Sequence, residues 1–246
     1  MTTQIKISKS EITRDDFILL FSSDNLLEMY SLIQDGNVLI TGFQKKPWGT
    51  WNIVGWFLCT TDEISIENSI RLAAGSTDWE YVFRVKDDID ADYIFSGGNH
   101  ENEKMNSIEF LNGEDNSKIQ LEIGKQTRVE KLNIVEYTSL LRPEDGSVYA
   151  NVRRNYVVEP SRISLETDFE FVSDVFIGTS YVCMFPVSKE YGQYIFFGGD
   201  KDPYETPKHG ETLTEGSFEN YYGKKEALEA KIWGPANTAY KFRVSI

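Results

Sequence analysis

The sequence predicts an all-β protein: a large antiparallel β-sandwich with at most one or two short helices. Three observations predict it. In Ile163, Leu165, Thr167, Phe169 and Phe171 every second residue is apolar or β-branched, with Ser164, Glu166, Asp168 and Glu170 between them. That is the period-two pattern of a strand with one buried face. Asp35-Gly36-Asn37, Asn112-Gly113 and Asp145-Gly146 supply tight-turn signals. Phe and Tyr number 15 and 13, a composition that suits a pleated surface, and alanine-rich stretches are scarce.

Taken in order, apolar runs predict strands at 5–8, 16–21, 25–33, 38–42, 52–59 and 79–85. Further strands follow at 147–160, 163–171, 175–187, 193–197 and 240–246. The helical candidate is 224–231, rich in Glu, Ala, Leu and Lys. Neither a repeat nor a low-complexity linker divides the chain, so residues 1–246 read as a single sandwich domain. A division near 125 has no compositional support.

The chain has 246 residues, 40% of them hydrophobic, enough for a sizeable core. Its 25 basic and 39 acidic residues leave a net charge of −14. Without a long Lys/Arg run, this composition argues against nucleic acid and anionic membranes as partners. Cys59 and Cys183 sit in apolar runs and read as small buried hydrophobes, with pairing left open. The first residues lack the apolar stretch of a signal peptide, and no run approaches a membrane span. The expectation is a cytoplasmic or non-classically exported protein of undetermined oligomeric state.

Phe95-Ser96-Gly97-Gly98-Asn99-His100-Glu101-Asn102-Glu103 is the richest stretch chemically. It holds one of two histidines beside a glycine pair, which permits a sharp turn. Read plainly, it is a turn in which His100 bonds to Glu101 or Glu103. Gly98-Asn99-His100-Glu101 also resembles one block of the calcineurin-like metallophosphoesterases. The other blocks of that family are missing, and two histidines are too few for its two-metal centre. That reading is rejected, and neither metal nor cofactor is expected.

A second constellation is the strand at 147–160. Tyr149, Asn151, Arg153 and Asn155 alternate along one face at steps of about 6.5–7 Å, with Arg154 and Tyr156 on the other. Such a face suits a sugar, and it equally suits an exposed sheet surface with cross-strand pairs. A third is Trp48, Trp51 and Trp56, set among Gly and Pro. Trp56 reads as core; Trp48 and Trp51 read evenly as core anchors or as stacking platforms. His209 reads as a solvated loop residue, and Asp200, Asp202 and Glu205 lack EF-hand spacing.

Together Asn99, His100, Tyr149, Tyr156, Arg153 and Arg154 resemble the Asn, His, Tyr and Arg set of β-sandwich polysaccharide lyases. The resemblance implies β-elimination on a uronic-acid glycan. His100 would be the base, Asn99 and Arg153 the carboxylate neutralisers, and Tyr149 or Tyr156 the acid. Trp48, Trp51, Asn151, Asn155, Glu101, Glu103 and Arg154 would bind substrate. The expected partner is therefore a polysaccharide or oligosaccharide. Two alternatives stay open. One is a non-catalytic glycan-binding, adhesion or structural module, such as one in a phage particle. The other is a glycoside hydrolase built on a carboxylate pair such as Glu101 and Glu103.

Overall fold

The computed structural model describes residues 7–73, 78–206 and 227–246. Chain contacts divide it into two compact units, Met1–Pro186 and Val187–Ile246. Residue 125 falls inside the first. Apart from a 3₁₀ turn at Lys9–Glu11, the regular elements described are strands, and the sheets are antiparallel, as the alternation predicts. No helix among the described residues is long and apolar enough to cross a membrane.

The first unit contains β1 (Phe17–Ser23), β2 (Leu26–Leu32), β3 (Val38–Lys45), β4 (Trp51–Cys59) and β5 (Ile70–Ala73). Next come β6 (Phe83–Lys86), β7 (Ile94–Ser96), β8 (Glu103–Asn112) and β9 (Gln126–Val129). It ends with β10 (Leu132–Leu141), β11 (Val148–Glu159), β12 (Arg162–Phe171) and β13 (Phe176–Ile177). These strands form three sheets, ordered β5-β4-β3-β2-β1-β9, β12-β11-β10-β8 and β13-β6-β7.

The six-stranded and four-stranded sheets enclose the main core. Phe17, Leu19, Leu27, Met29, Phe43 and Trp51 from one side meet Leu132, Ile134, Tyr156 and Val158 from the other. Each fully buried Leu or Phe there contributes about 1.5–3 kcal/mol relative to exposure. The six-stranded sheet is covered on its second face too. Ile18, Leu20, Tyr30, Val38, Ile40 and Phe57 pack with Ile7, Ile12 and Ile64. Burial on both faces explains why Phe17-Ile18-Leu19-Leu20 is continuously apolar rather than alternating. A third cluster joins Tyr81 and Val85 of the β6 region to Leu140, Tyr149, Ala150 and Val152 of the four-stranded sheet.

One irregularity corrects the predicted face of β11. Leu140 pairs with Ala150 but Leu141 pairs with Val148, leaving Tyr149 as the extra residue of a β-bulge. The bulge puts Tyr149 on the buried side with Ala150, Val152, Arg154, Tyr156 and Val158. Asn151, Arg153 and Asn155 remain on the outer face, as the alternation requires.

Other expectations also change. Ile7 and Ser8 precede the 3₁₀ turn and are not in a strand, while residues 5 and 6 lie outside the described residues. Of 175–187, the strand is Phe176–Ile177, followed by isolated bridge positions at Tyr181, which pairs with Val82, and at Val187. Cys59 is buried as expected, whereas Cys183 is exposed, and the two are not paired.

The second unit holds β14 (Tyr194–Phe197), β15 (Tyr204–Glu205), β16 (Glu229–Trp233) and β17 (Lys241–Ser245), ordered β15-β14-β16-β17. The helix expected at 224–231 is not formed over its described part, where Glu229–Trp233 is a strand. β16 pairs with β14 and β17. A run of eight good helix formers is marginal alone, and two strand partners satisfy its backbone better.

Candidate functional site

The glycine-rich loop after β7 is held by a buried carboxylate. Gly97 and Gly98 take φ of +87° and +59°. A Cβ at Gly98 would stand 2.1 Å from the Tyr81 carbonyl oxygen and 2.5 Å from Asp78 Oδ1, so no larger residue fits there without displacing backbone. The gap lets the Asn99 N–H donate to Asp78 Oδ1 at 2.7 Å. Asp78 Oδ2 lies 3.4 Å from His100 Nε2. The imidazole stacks on Phe95, with ring centres 4.5 Å apart and planes 17° from parallel. Asp78 and Phe95 thus orient His100, whose side chain is 40% exposed.

Beside this loop opens a cleft of about 530 Å³, lined by Asn25, Gln44, Lys45, Lys46, Trp48 and Asn99, with Asp24 and Pro47 completing the wall. The β3–β4 turn builds much of it. Lys46 N–H donates to the Thr50 carbonyl at 2.7 Å and Gly49 N–H to that of Lys46 at 2.9 Å, closing the turn that carries half-buried Trp48. Burial pushes the Lys46 ammonium below its ordinary range, against the pull of Glu80 and Asp78. Trp48, expected to bind substrate, and Asn99, expected to neutralise a carboxylate, thus line the same cleft, with His100 adjoining Asn99 in the chain. Asp78 and Lys46 were missed. Lys46 stands two residues before Trp48, whereas no spacing pattern marks Asp78.

The remaining candidates lie elsewhere. Trp51 is core: it stacks on Phe43 at 5.6 Å and meets Phe21 and Phe110 edge-on. Tyr149, Tyr156, Arg154 and Glu103 are buried in the sandwich. Arg154 Nη2 lies 2.8 Å from Glu136 Oε2 and 3.4 Å from Glu103 Oε1. Tyr81 and Thr138 hydroxyls donate to Glu103 Oε1 at 2.7 and 2.6 Å. Trp51 N–H donates to Glu136 at 2.9 Å and Ile53 N–H to Glu80 at 2.8 Å. Burial pushes Glu136 up to about 7 and raises Glu80, in both cases against the pull of Arg154. Burial alone would lower Arg154, but Glu136 and its neighbours outweigh it and keep the guanidinium charged.

This interior corrects the assigned acid. Burial pushes Tyr149 up to about 12, and its hydroxyl donates to Ser96 Oγ at 3.0 Å. Burial also raises Tyr156 well above its ordinary value, and its hydroxyl lies 3.3 Å from Glu80 Oε1. Neither phenol reaches a solvent-borne sugar. Arg154 and Glu103 are enclosed in the same way.

Arg153, Asn151 and Asn155 occupy the outer face of the four-stranded sheet and do not line the cleft. Arg153 pairs with Asp168 at 3.1 Å. Asn106, Ser139, Asn151 and Glu170 form a hydrogen-bonded row across four strands. Glu101 is exposed and Glu103 buried, so they do not converge as a carboxylate pair. His209 lies outside the described residues. Among the described residues no group of three His, Cys, Asp or Glu is placed to hold a metal ion.

Comparison with protein-family models, curated proteins and solved structures finds no match.

Proposed function

We propose that the protein is a carbohydrate-active β-sandwich that binds an acidic glycan in the cleft between Lys46, Trp48 and Asn99. One observation carries the reading: a tryptophan, three amide residues and two lysines, against one carboxylate residue, Asp24, line a single concavity. An indole face suits the C–H face of a sugar ring. Asn25, Gln44 and Asn99 can both donate to and accept from hydroxyls. Lys45 and Lys46 give a chain of net charge −14 a local seat for a carboxylate.

Within that class, binding without turnover is the reading we favour. Elimination needs an acid at the leaving oxygen, and the tyrosines assigned to that role are enclosed. The Asp78–His100 pair supports the second reading, a lyase in which His100 removes the proton α to the sugar carboxylate.

The test is a glycan array followed by absorbance at about 235 nm, where the unsaturated product of β-elimination absorbs, on the uronic-acid polymers that bind. Binding lost in Trp48→Ala with a flat absorbance trace supports the module. An absorbance rise that disappears in His100→Ala establishes the lyase. No retention of any acidic glycan refutes both.

A further inference from the structure

The three-stranded sheet carries an outward file of alternating rings and cations that begins at His100. Arg84 and Lys86 lie two residues apart on β6, so both project from one face, while Val85 between them is fully buried. The β7 and β13 partners directly opposite are aromatic: Phe95 faces Arg84 and Phe176 faces Lys86. Tyr93 sits between the two cations. The Arg84 guanidinium lies 5.4 Å from the Tyr93 ring centre and 5.7 Å from that of Phe95. The Lys86 ammonium lies 4.9 Å from Tyr93 and 5.9 Å from Phe176. Phe95 in turn stacks on His100, so the file His100, Phe95, Arg84, Tyr93, Lys86, Phe176 is continuous.

Three details separate this file from an ordinary surface. Tyr93 is 37% and Phe176 45% exposed, a cost in apolar surface left in water. Arg84 makes no ion pair among the described residues, so its charge is held by aromatic faces and left open to an anion. Gly178 lies against Tyr93, where a Cβ would stand 2.9 Å from the ring, so a larger residue would crowd the ring in this position.

We infer that this file extends the cleft as a platform for an acidic oligosaccharide longer than the cleft holds, an inference that rests on the glycan reading above. Ring faces alternating with cations match a chain whose sugar C–H faces alternate with carboxylates. The connection after Lys86 leads back to Tyr93 and is acidic: Asp87 is paired with Arg142, and Asp88, Asp90 and Asp92 add negative charge that Arg84 and Lys86 offset on the face of the file.

The experiment is isothermal titration calorimetry with oligouronates of the galacturonate and mannuronate series, each as a dimer and an octamer, and with a neutral cello-oligosaccharide of matched length. In the wild type the octamer binds at least about tenfold tighter than the dimer, by engaging a second region of the same surface. Arg84→Gln with Lys86→Gln removes that gain and leaves dimer affinity and the thermal midpoint unchanged. Trp48→Ala weakens both lengths. The platform is refuted if the wild type shows no length gain, if the double variant keeps it, or if dimer affinity falls equally. Equal binding of the neutral oligosaccharide overturns the acidic specificity. Dimer binding without length gain spares the cleft reading, whereas no binding at either length overturns the cleft and the platform together.

Discussion

Asp78 Oδ1 accepts the Asn99 backbone N–H at 2.7 Å while Asp78 Oδ2 lies 3.4 Å from His100 Nε2, so one buried carboxylate sets both the loop backbone and the imidazole. Asp78→Ala removes both interactions at once. The expected outcome is faster hydrogen exchange at the Asn99 amide and weaker binding of an acidic glycan, with the sandwich core still protected. An Asn99 amide that stays protected in the variant would show that the glycine turn stands without Asp78.

Gly98→Ala tests the turn from the other side. The new Cβ meets the Tyr81 carbonyl, and alanine must adopt a φ of +59°. Strain and overpacking together cost on the order of 2–4 kcal/mol, read as a lower urea midpoint at unchanged slope. Gly36→Ala is the comparison, because nothing lies within 4 Å of a Cβ there and its cost is the positive φ alone. Equal losses at the two positions would contradict the close packing at Gly98.

The two tryptophans of the β3–β4 turn should separate cleanly. Trp51 is 4% exposed among Phe21, Phe43 and Phe110, so Trp51→Ala opens a core cavity costing about 3–5 kcal/mol. Trp48 lines the cleft, and Trp48→Ala should shift stability far less while abolishing glycan binding. Chemical denaturation and an array read on both variants check the pair. A Trp48 variant that binds normally would remove the cleft from consideration.

Glu136 makes stability depend on pH. Burial raises its carboxyl to about 7 in the folded protein, against an ordinary 4.5. Below pH 4.5 both states hold the proton, and the group is neutral to stability. Between pH 4.5 and about 7 the unfolded chain releases it while the folded chain keeps it, so stability falls as pH rises. Above that window the loss is complete. Glu136→Gln cannot ionise, so across this window the wild type should lose on the order of 1–3 kcal/mol more than the variant. Parallel curves in urea titrations would mean that Arg154, 2.8 Å away, keeps Glu136 ionised throughout.

The same cluster explains what alternation did not reveal. β8 and β10 were missed, although each spans ten residues. Along β10 the inward row is Leu132, Ile134, Glu136, Thr138 and Leu140, Ser139 of the other row is buried too, and β8 opens on buried Glu103. A carboxylate and a hydroxyl among inward positions erase the apolar period that marks β12. Burial of those groups is tolerated because Arg154, Tyr81, Thr138 and backbone N–H groups surround them.

By itself the sequence determined the all-β class, the turns at Asp35-Gly36 and Asp145-Gly146, and a glycine-supported polar loop at Asn99-His100. Each is a local property: side-chain period, left-handed backbone and composition follow from neighbouring residues alone. Only the tertiary structure decided that Arg154 and Tyr156 face the interior, that a bulge carries Tyr149 inward, and that Trp48 rather than Trp51 meets solvent. It also brought Asp78 to His100 and Lys46 to Asn99. Alternation separates the two faces of a strand without saying which one another sheet will cover. A carboxylate and an imidazole far apart in the chain become partners only when the strands between them pack.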